Sequence, residues 1–525
     1  MQSAASHETV ETLDAFTITV NSADNVAVAR RRIETGTQFH APDGAIFSLS
    51  ETVPPGHRIA VIDIPQGEFV RQYGQPIGTS LGIHRGDKIT HANMSNEVPI
   101  QRDLNEDQQV AAPEYFSPQQ AQTFSGYRRA DGRVGTRNYI LIVPTSMCSS
   151  HEAAQISMQA EFELYSRSRF PNVDGVVAIP HNKGCGCQDG SNIDIALRTL
   201  SNYAAHPNVG GVVMLDLGCE KTNLSVVEKY LLRTGETLSK PFVKIGVQES
   251  GGTSETILRG LAAVKEMLPV VNQCERTQVP LSELVLGVKC GGSDGLSGLS
   301  ANPSLGKVSD RLVRFGGTVL MTEVPEFFGA EHLLAARAKD AATARSVYAM
   351  VDWYRDFASR AGAVLNENPS PGNVAGGLLN IAIKSLGAIA KGGHTRVEGV
   401  TGYAEPPKGH GLQLMQGPGY DQESTPGLVA AGATVVIFTT GRGTTIGNAI
   451  APVIKLASNN DTFRRMQSDI DLSAGNVVEG TETMDQVGER VFDYLVDVAS
   501  GATPAKAETH KHREFQIWAE TAVSL

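Results

Sequence analysis

From Tyr127 onward the chain alternates apolar runs with helical stretches, and this alternation restricts the fold more than any other feature. The runs "NYILIVP", "DGVVAIP", "VGGVVMLDLG", "PFVKIGV", "ELVLGVK" and "TVLMTEV" are continuously apolar, and helical periods lie between them, as at 223–232 and 254–267. A strand that is apolar on both faces must be covered on both faces, so the pattern predicts parallel sheets flanked by helices. The alternation resumes after Asn373 with an amphipathic helix, then "LQLMQGP" and "TVVIFTTGRGT".

The beginning of the chain is built differently. "FTITV", "AIFSL", "RIAVIDI" and "FVRQY" are short runs separated by Gly, Pro and Asp, which predicts a small all-β unit over 12–97. Residues 98–124 are polar, rich in Gln and Pro and without period, and read as a linker or a surface-wrapping arm. The rest divides into a middle α/β unit, 125–286, and a C-terminal α/β unit, 287–525, with the junction at the glycine-rich turn after Gly287. Three or so domains suit 525 residues at about 150 residues each.

Composition removes whole classes of function. Net charge is −11 with no basic tract, which argues against nucleic acid as a partner. No stretch approaches about 18 uninterrupted apolar residues, so no membrane span is expected. The N-terminal "MQSAASHETVETLDAF" has acidic residues and no apolar run, so no signal peptide is expected there, and six cysteines are few for a disulfide framework, so free thiols in a reducing cytoplasm are expected.

In open α/β sheets ligands bind beyond the carboxyl ends of the strands. Cys148 follows "ILIVPTSM"; Cys185 follows "GVVAIPHNKG", with His181 before it and Cys187 after; Cys219 precedes Glu220; Cys290 follows "LVLGVK" and precedes Asp294. Thiolates favour iron or zinc. No CxxC pair exists, so metal ligands would come from different strands, and iron, mononuclear or in a cluster, stands level with zinc. In "FTTGRGTTIGNAIAPVIKLAS" a strand ends at Thr440, and a helix carrying Lys455 is expected from Thr445; Arg442 between two glycines is placed to grip a carboxylate. There is no P-loop and no strand-linked GxGxxG, so no nucleotide is expected. In "NENPSPGNVAGGLLNIAIKSLG" Asn373 reads as the N-cap of a helix holding Lys384. The glycines of "KCGGSDGLSGLSANPSLG" are expected to bring backbone amides and Asp294 up to a small anionic ligand or its metal.

Together these motifs resemble the altronate dehydratase / galactarate dehydratase family of sugar-acid dehydratases. The likeness runs through "GHRIAVIDIPQGEFVRQYGQPIG", "GYRRADGRVGTRNYILIVPT", "GCGC", "LGCEKTN", "CGGSDGLSGLSANPSLG", "TEVPEFFGAEHLL", "ENPSPGN", "KSLG" and "TTGRGT". "CGGSDGLSGLSANP" and "TEVPEFFGAE" are closer to altronate dehydratase, while "HNKGCGC" carries Lys183 where the family has an aromatic residue. The resemblance implies an N-terminal β-clip (SAF-type) domain, a dimerising middle domain and a Rossmann-like C-terminal domain without nucleotide. It implies a homodimer dependent on Fe2+ or Mn2+ and a small-molecule sugar-acid substrate, with the iron-sulfur cluster that the strand-end cysteines allow kept as a further option. Cys148, Cys185, Cys219 and Cys290 match family cysteines and are the expected metal ligands; Cys187 and Cys274 do not match. The implied reaction takes the C2 proton and the C3 hydroxyl from D-altronate, giving a 2-keto-3-deoxy acid. His181, Lys384 and Asp294 are the expected catalytic residues, and Arg137, Arg442, Thr444, Ser293 and Asn373 the expected substrate contacts. Galactarate or another sugar acid is the alternative substrate, and a non-catalytic sugar-acid-binding protein the alternative class.

Overall fold

The computed structural model describes residues 10–41, 44–234 and 238–520, without the side chains of 232–234. Residues 10–97 form three small three-stranded sheets and, among the described residues, no α-helix. Strand Val26–Ala29 shows how this unit packs. Ala27 and Ala29 face a private core with Ile33, Phe39, Phe47 and Val53, while Val26 joins the main core of the body with Ile64, Val70 and Ile77. Period-two alternation thus gives one short strand two buried faces.

The polar segment after it wraps the C-terminal unit. Gln108 donates to the carbonyls of Ala335 and Ala338, Arg102 pairs with Asp352, and the Phe116 amide donates to the Arg314 carbonyl. Strand Thr123–Arg128 leads into the middle unit and pairs antiparallel with Thr277–Pro280, which leads out of it.

Between them lies a parallel sheet of β1 (Tyr139–Pro144), β2 (Gly175–Ala178), β3 (Val209–Asp216) and β4 (Phe242–Gly246), in the order β2-β1-β3-β4. The larger sheet holds β5 (Val285–Cys290), β6 (Thr318–Met321), β7 (Val397–Thr401), β8 (Gly411–Met415), β9 (Val435–Thr440), β10 (Val453–Ala457) and β11 (Leu472–Ser473). Its order is β7-β8-β6-β5-β9-β10-β11, and every pairing is parallel. The all-β beginning and the helix-covered parallel sheets are those the apolar pattern predicts.

Three local expectations are corrected. The break after residue 286 falls inside β5, the central strand of the larger sheet; the glycine-rich turn begins only beyond Cys290. Residues 445–452 contain no helix, and Lys455 lies in β10; the helix comes later, at Asn460–Arg465. Asn373 is not a cap but the third residue of the short helix Pro371–Ala375, where it completes a capping box with Ser370; the helix holding Lys384, Ile381–Ala388, is capped by Asn380. No described helix is long and apolar enough to cross a membrane.

Candidate active site

The larger sheet changes direction between β5 and β9. From β5 the chain passes to β6 on one side, and it returns to β9 on the other. A crevice opens beyond the carboxyl ends of these two strands, where such sheets bind ligands. The loops after them lie against each other, with the Gly441 and Arg442 amides donating to the Gly292 carbonyl.

At the foot of this crevice lies a charge network that the motifs did not reveal. Lys289, in β5, pairs with Glu323 and with Asp421 (2.6 Å). Lys391 reaches Glu326 at 3.0 Å, Glu323 at 3.3 Å and the Cys290 thiol at 3.1 Å. Lys384 pairs with Glu326 at 3.1 Å and bonds Asn368 at 2.8 Å. The carboxylates of Glu323, Glu326 and Asp421 therefore balance the ammoniums of Lys289, Lys384 and Lys391. Lys289, Lys391 and Glu323 have no exposed side-chain surface, whereas Lys384 keeps 10% and Asp421 26%. Only the last two are placed to meet a ligand.

This environment separates the protonation states. Burial and the neighbouring Glu326 push the Cys290 thiol far up. Burial works against the Glu326 carboxylate, but Lys391, Lys384 and Lys289 outweigh it and hold this group far below the usual carboxylate range. Glu323 is raised by burial and by Glu326. Its backbone is left-handed, φ 76°, a conformation costing a non-glycine residue of order 1–3 kcal/mol and concentrated at functional sites. Cys290, Glu323 and Glu326 place their ligand atoms within 4.8 Å of one another, close enough to hold a metal ion. A lysine inside the apolar strand "LVLGVKC" was the available sequence signal for this network.

Above it, Asp294 and Arg442 line a cleft of about 860 Å³ between the β unit and the body, together with Arg31, Asn459 and Arg465. Arg442 is exposed, and its guanidinium makes no hydrogen bond or ion pair among the described residues. Asp294 is buried; its Oδ1 accepts from Ser297, Ser458 and the Leu296 amide, and its Oδ2 from Asn459. Burial raises its pKa despite these bonds. Ser293 is buried with its hydroxyl unpartnered, Asn373 donates to the Ser293 carbonyl at 2.7 Å, and Thr444 is half-buried beside Arg442. Two glycines of this loop are needed for close packing within the protein: a Cβ on Gly295 would lie 2.1 Å from the Gly56 carbonyl, and one on Gly298 2.7 Å from the Gly387 Cα.

Other expected residues fall elsewhere. Arg137 is buried, giving Nε and Nη2 to Glu508 at 2.6 and 2.8 Å and Nη1 to the carbonyls of Thr136 and Val498. It fastens the middle unit to the C-terminal segment, and its burial there keeps it from a substrate. His181 accepts the Lys183 amide on Nδ1 and so donates from Nε2 to the Pro144 carbonyl at 2.9 Å. Burial lowers its pKa to about 4, and with both nitrogens engaged it braces the loop. The four cysteines expected to share one metal are divided: Cys290 is buried in the larger sheet, while Cys148, Cys185 and Cys219 are exposed beyond β1, β2 and β3 of the smaller one.

Comparison with known proteins agrees with this architecture along the chain. Residues 15–97 match the altronate/galactarate dehydratase SAF domain, 126–272 the second domain of D-galactarate dehydratase/altronate hydrolase, and 281–523 the C-terminal domain of D-galactarate/altronate dehydratase. Altronate dehydratase of Bacillus subtilis (strain 168) is 35% identical over 505 residues, 95% of this chain and 97% of that protein. Altronate dehydratase of Escherichia coli (strain K12) is 36% identical over 95% of this chain and 98% of its own length. Galactarate dehydratase (L-threo-forming) of the same organism is 37% identical over 94% of each. With three consecutive domain matches and such relatives over nearly its whole length, the chain belongs to the D-galactarate/altronate dehydratase family of hydro-lyases.

Proposed function

We propose that the protein dehydrates D-altronate to a 2-keto-3-deoxy acid in the cleft lined by Asp294 and Arg442. The observation that carries this reading is that a carboxyl raised by burial and an uncommitted guanidinium line one cleft at the switch point of the larger sheet. The C2 proton of an aldonate is weakly acidic, and its removal loads negative charge onto the neighbouring carboxylate. Arg442 takes that carboxylate through two parallel N–H bonds. Asp294 takes the proton on Oδ2, the oxygen with a single protein donor. Lys384, at the rim of the charge network, is an ion-paired ammonium and so gives a proton to the departing hydroxyl rather than acting as the base. Ser293, Thr444 and Asn373 orient the sugar hydroxyls or the loop that meets them.

The reading includes dependence on Fe2+ or Mn2+, a metal that would stabilise the charge developing on substrate oxygen. The Cys290, Glu323 and Glu326 group fits one ion by spacing. It fits poorly by charge: three ammoniums already neutralise it, and Cys290 is held as a thiol. An ion would enter only by displacing those protons, so no step is assigned to a metal there. A homodimer, a cytoplasmic location and a Rossmann-like body that binds no nucleotide belong to the same reading.

A panel of hexonates and hexarates, scored by 2-keto acid formation with ferrous iron under reducing conditions, tests it. D-altronate is expected to turn over fastest. Faster turnover of galactarate would move the substrate within the family, and binding without turnover of any member would favour a sugar-acid-binding protein.

A further inference from the structure

The chemistry proposed above needs Asp294 and Arg442 held in register, yet they stand on loops from different strands, Asp294 beyond β5 and Arg442 beyond β9. A third loop, which leaves the neighbouring strand β10 at Ser458 and Asn459, joins the two. Asn459 Nδ2 donates to Asp294 Oδ2 at 2.9 Å and to the Gly441 carbonyl, next to Arg442, at 3.0 Å. Its Oδ1 accepts the Thr462 amide at 2.8 Å and so caps the helix Asn460–Arg465. The cap settles which end of the side-chain amide points where. A flipped amide would set its NH2 against the Thr462 N–H and its oxygen against the Gly441 carbonyl.

Other contacts tighten the same junction. Ser458 donates to Asp294 Oδ1 at 2.9 Å, and the Thr462 hydroxyl donates to the Gly441 carbonyl at 2.7 Å. A Cβ on Gly441 would lie 2.3 Å from Asp294 Cγ, so the turn carrying Arg442 rests directly on the carboxyl group.

The two Asp294 oxygens are thereby unequal. Oδ1 accepts from Ser297, Ser458 and the Leu296 amide, which fills its lone pairs. Oδ2 accepts from Asn459 and keeps a second lone pair. The Asn459 amide, which also lines the cleft, sets the direction of that lone pair.

We propose that Asn459 is a positioning residue of the dehydration: it aims the free lone pair of Asp294 Oδ2 at the substrate and keeps that oxygen in register with the Arg442 turn. The proposal rests on the roles given above to Asp294 and Arg442. A misplacement of about 1 Å at such a site costs about a hundredfold in rate.

The test uses the full chain with Asn459→Asp and Asn459→Ser. Both keep an oxygen to cap the helix, and neither carries an NH2 group. D-altronate turnover is followed against pH, with and without deuterium at C2, beside thermal unfolding. At the optimum kcat is expected to fall about tenfold to a hundredfold with KM little changed, and the C2 isotope effect on kcat to grow. The acid limb of kcat/KM should also move. Burial raises the Asp294 pKa and the Asn459 bond opposes the rise, so losing that donor shifts the limb to higher pH. Asn459→Asp shifts it further, by setting a second carboxylate beside the first. Arg31, Arg442, Arg465 and Glu479 line the same cleft and Tyr73 lies within reach of the Asp294 charge; the variants leave all of them in place.

An unmoved acid limb with wild-type kcat overturns the proposal. So does a loss that is equal at every pH, or unfolding of both variants, either of which makes Asn459 a structural cap. Asp294→Asn separates this from the reading beneath it and is expected to lose about a hundredfold or more. Wild-type turnover in Asp294→Asn removes the base assignment and this proposal with it. An inactive Asp294→Asn beside wild-type Asn459 variants removes the positioning role alone.

Discussion

Replacing Glu326 by glutamine probes the buried network where its balance is tightest. The Glu326 carboxylate meets Lys391 at 3.0 Å and Lys384 at 3.1 Å and accepts from the Cys290 thiol at 2.8 Å, with 2% of its side chain exposed. Glutamine keeps the shape and removes the charge, leaving three ammoniums against two carboxylates. Removing one partner of a buried pair costs about 3–5 kcal/mol, because the other charge stays buried and uncompensated. Solvent screening does not reduce this cost at such burial. At about 1.4 kcal/mol per factor of ten, local opening should become roughly a hundredfold to a few thousandfold more frequent. A chain of several units does not unfold in one step, so a global melt would blur the effect. Hydrogen exchange of the helix Ile381–Ala388 and the turn Val324–Phe327 reads it where it occurs. The pair Glu326→Leu with Lys391→Met removes both charges and should cost less than either single change. The effect also has a pH signature. Glu326 is held below its unfolded value, so its stabilisation is complete above the ordinary carboxylate pKa, about 4.3, and is lost as the pH falls from there toward the depressed value. The glutamine variant should lack that acid-dependent loss. A cost below about 1 kcal/mol, with strictly additive changes in the pair, would refute the reasoning.

Two further expectations follow from the cleft and the β unit. Arg442→Ala should lower kcat/KM by roughly tenfold to a hundredfold, about 1.5–3 kcal/mol for one charge-assisted contact, and Arg442→Lys should also be impaired because lysine lacks the bidentate fork. Thermal stability should be unchanged, since Arg442 is exposed and its side chain has no described partner; wild-type efficiency in Arg442→Ala would exclude the carboxylate clamp. A fragment ending at Glu97 should keep a β-type circular dichroism spectrum on its private core of Ala27, Phe39, Phe47 and Val53, but with lowered stability, because the buried Arg58 loses its bond to the Gly377 carbonyl. A disordered spectrum would show that the unit needs the body to fold.

The fold was legible where burial dictates composition. β5 and β9 are apolar on both faces because helices cover both, so their runs stand out in the chain. The stretch at 445–452 was misread because a turn rich in glycine and threonine before an apolar segment suits a helix start as well as a coil entering β10. Asp294 and Arg442 were legible as polar groups at strand ends, and both line one cleft. The charge network was not, because Lys289, Glu323, Lys391 and Asp421 lie far apart in sequence and carry no spacing signal; they meet only when β5, β6 and the segments around Lys391 and Asp421 assemble. Arg137 and His181 show the opposite limit. Each sits next to a conspicuous motif, yet it is buried and bonded to backbone or to Glu508, which only the folded chain reveals.

The central claim is that the enzyme removes a proton from C2 and the hydroxyl from C3 of a sugar acid. Nuclear magnetic resonance of D-altronate turned over in deuterium oxide tests it most directly. The enol left after dehydration ketonises by taking a hydron from solvent, so the 2-keto-3-deoxy product should carry one deuterium at C3. A product containing no solvent deuterium at C3 would contradict the mechanism, and the absence of any 2-keto acid from D-altronate and from every related hexonate and hexarate would contradict the function.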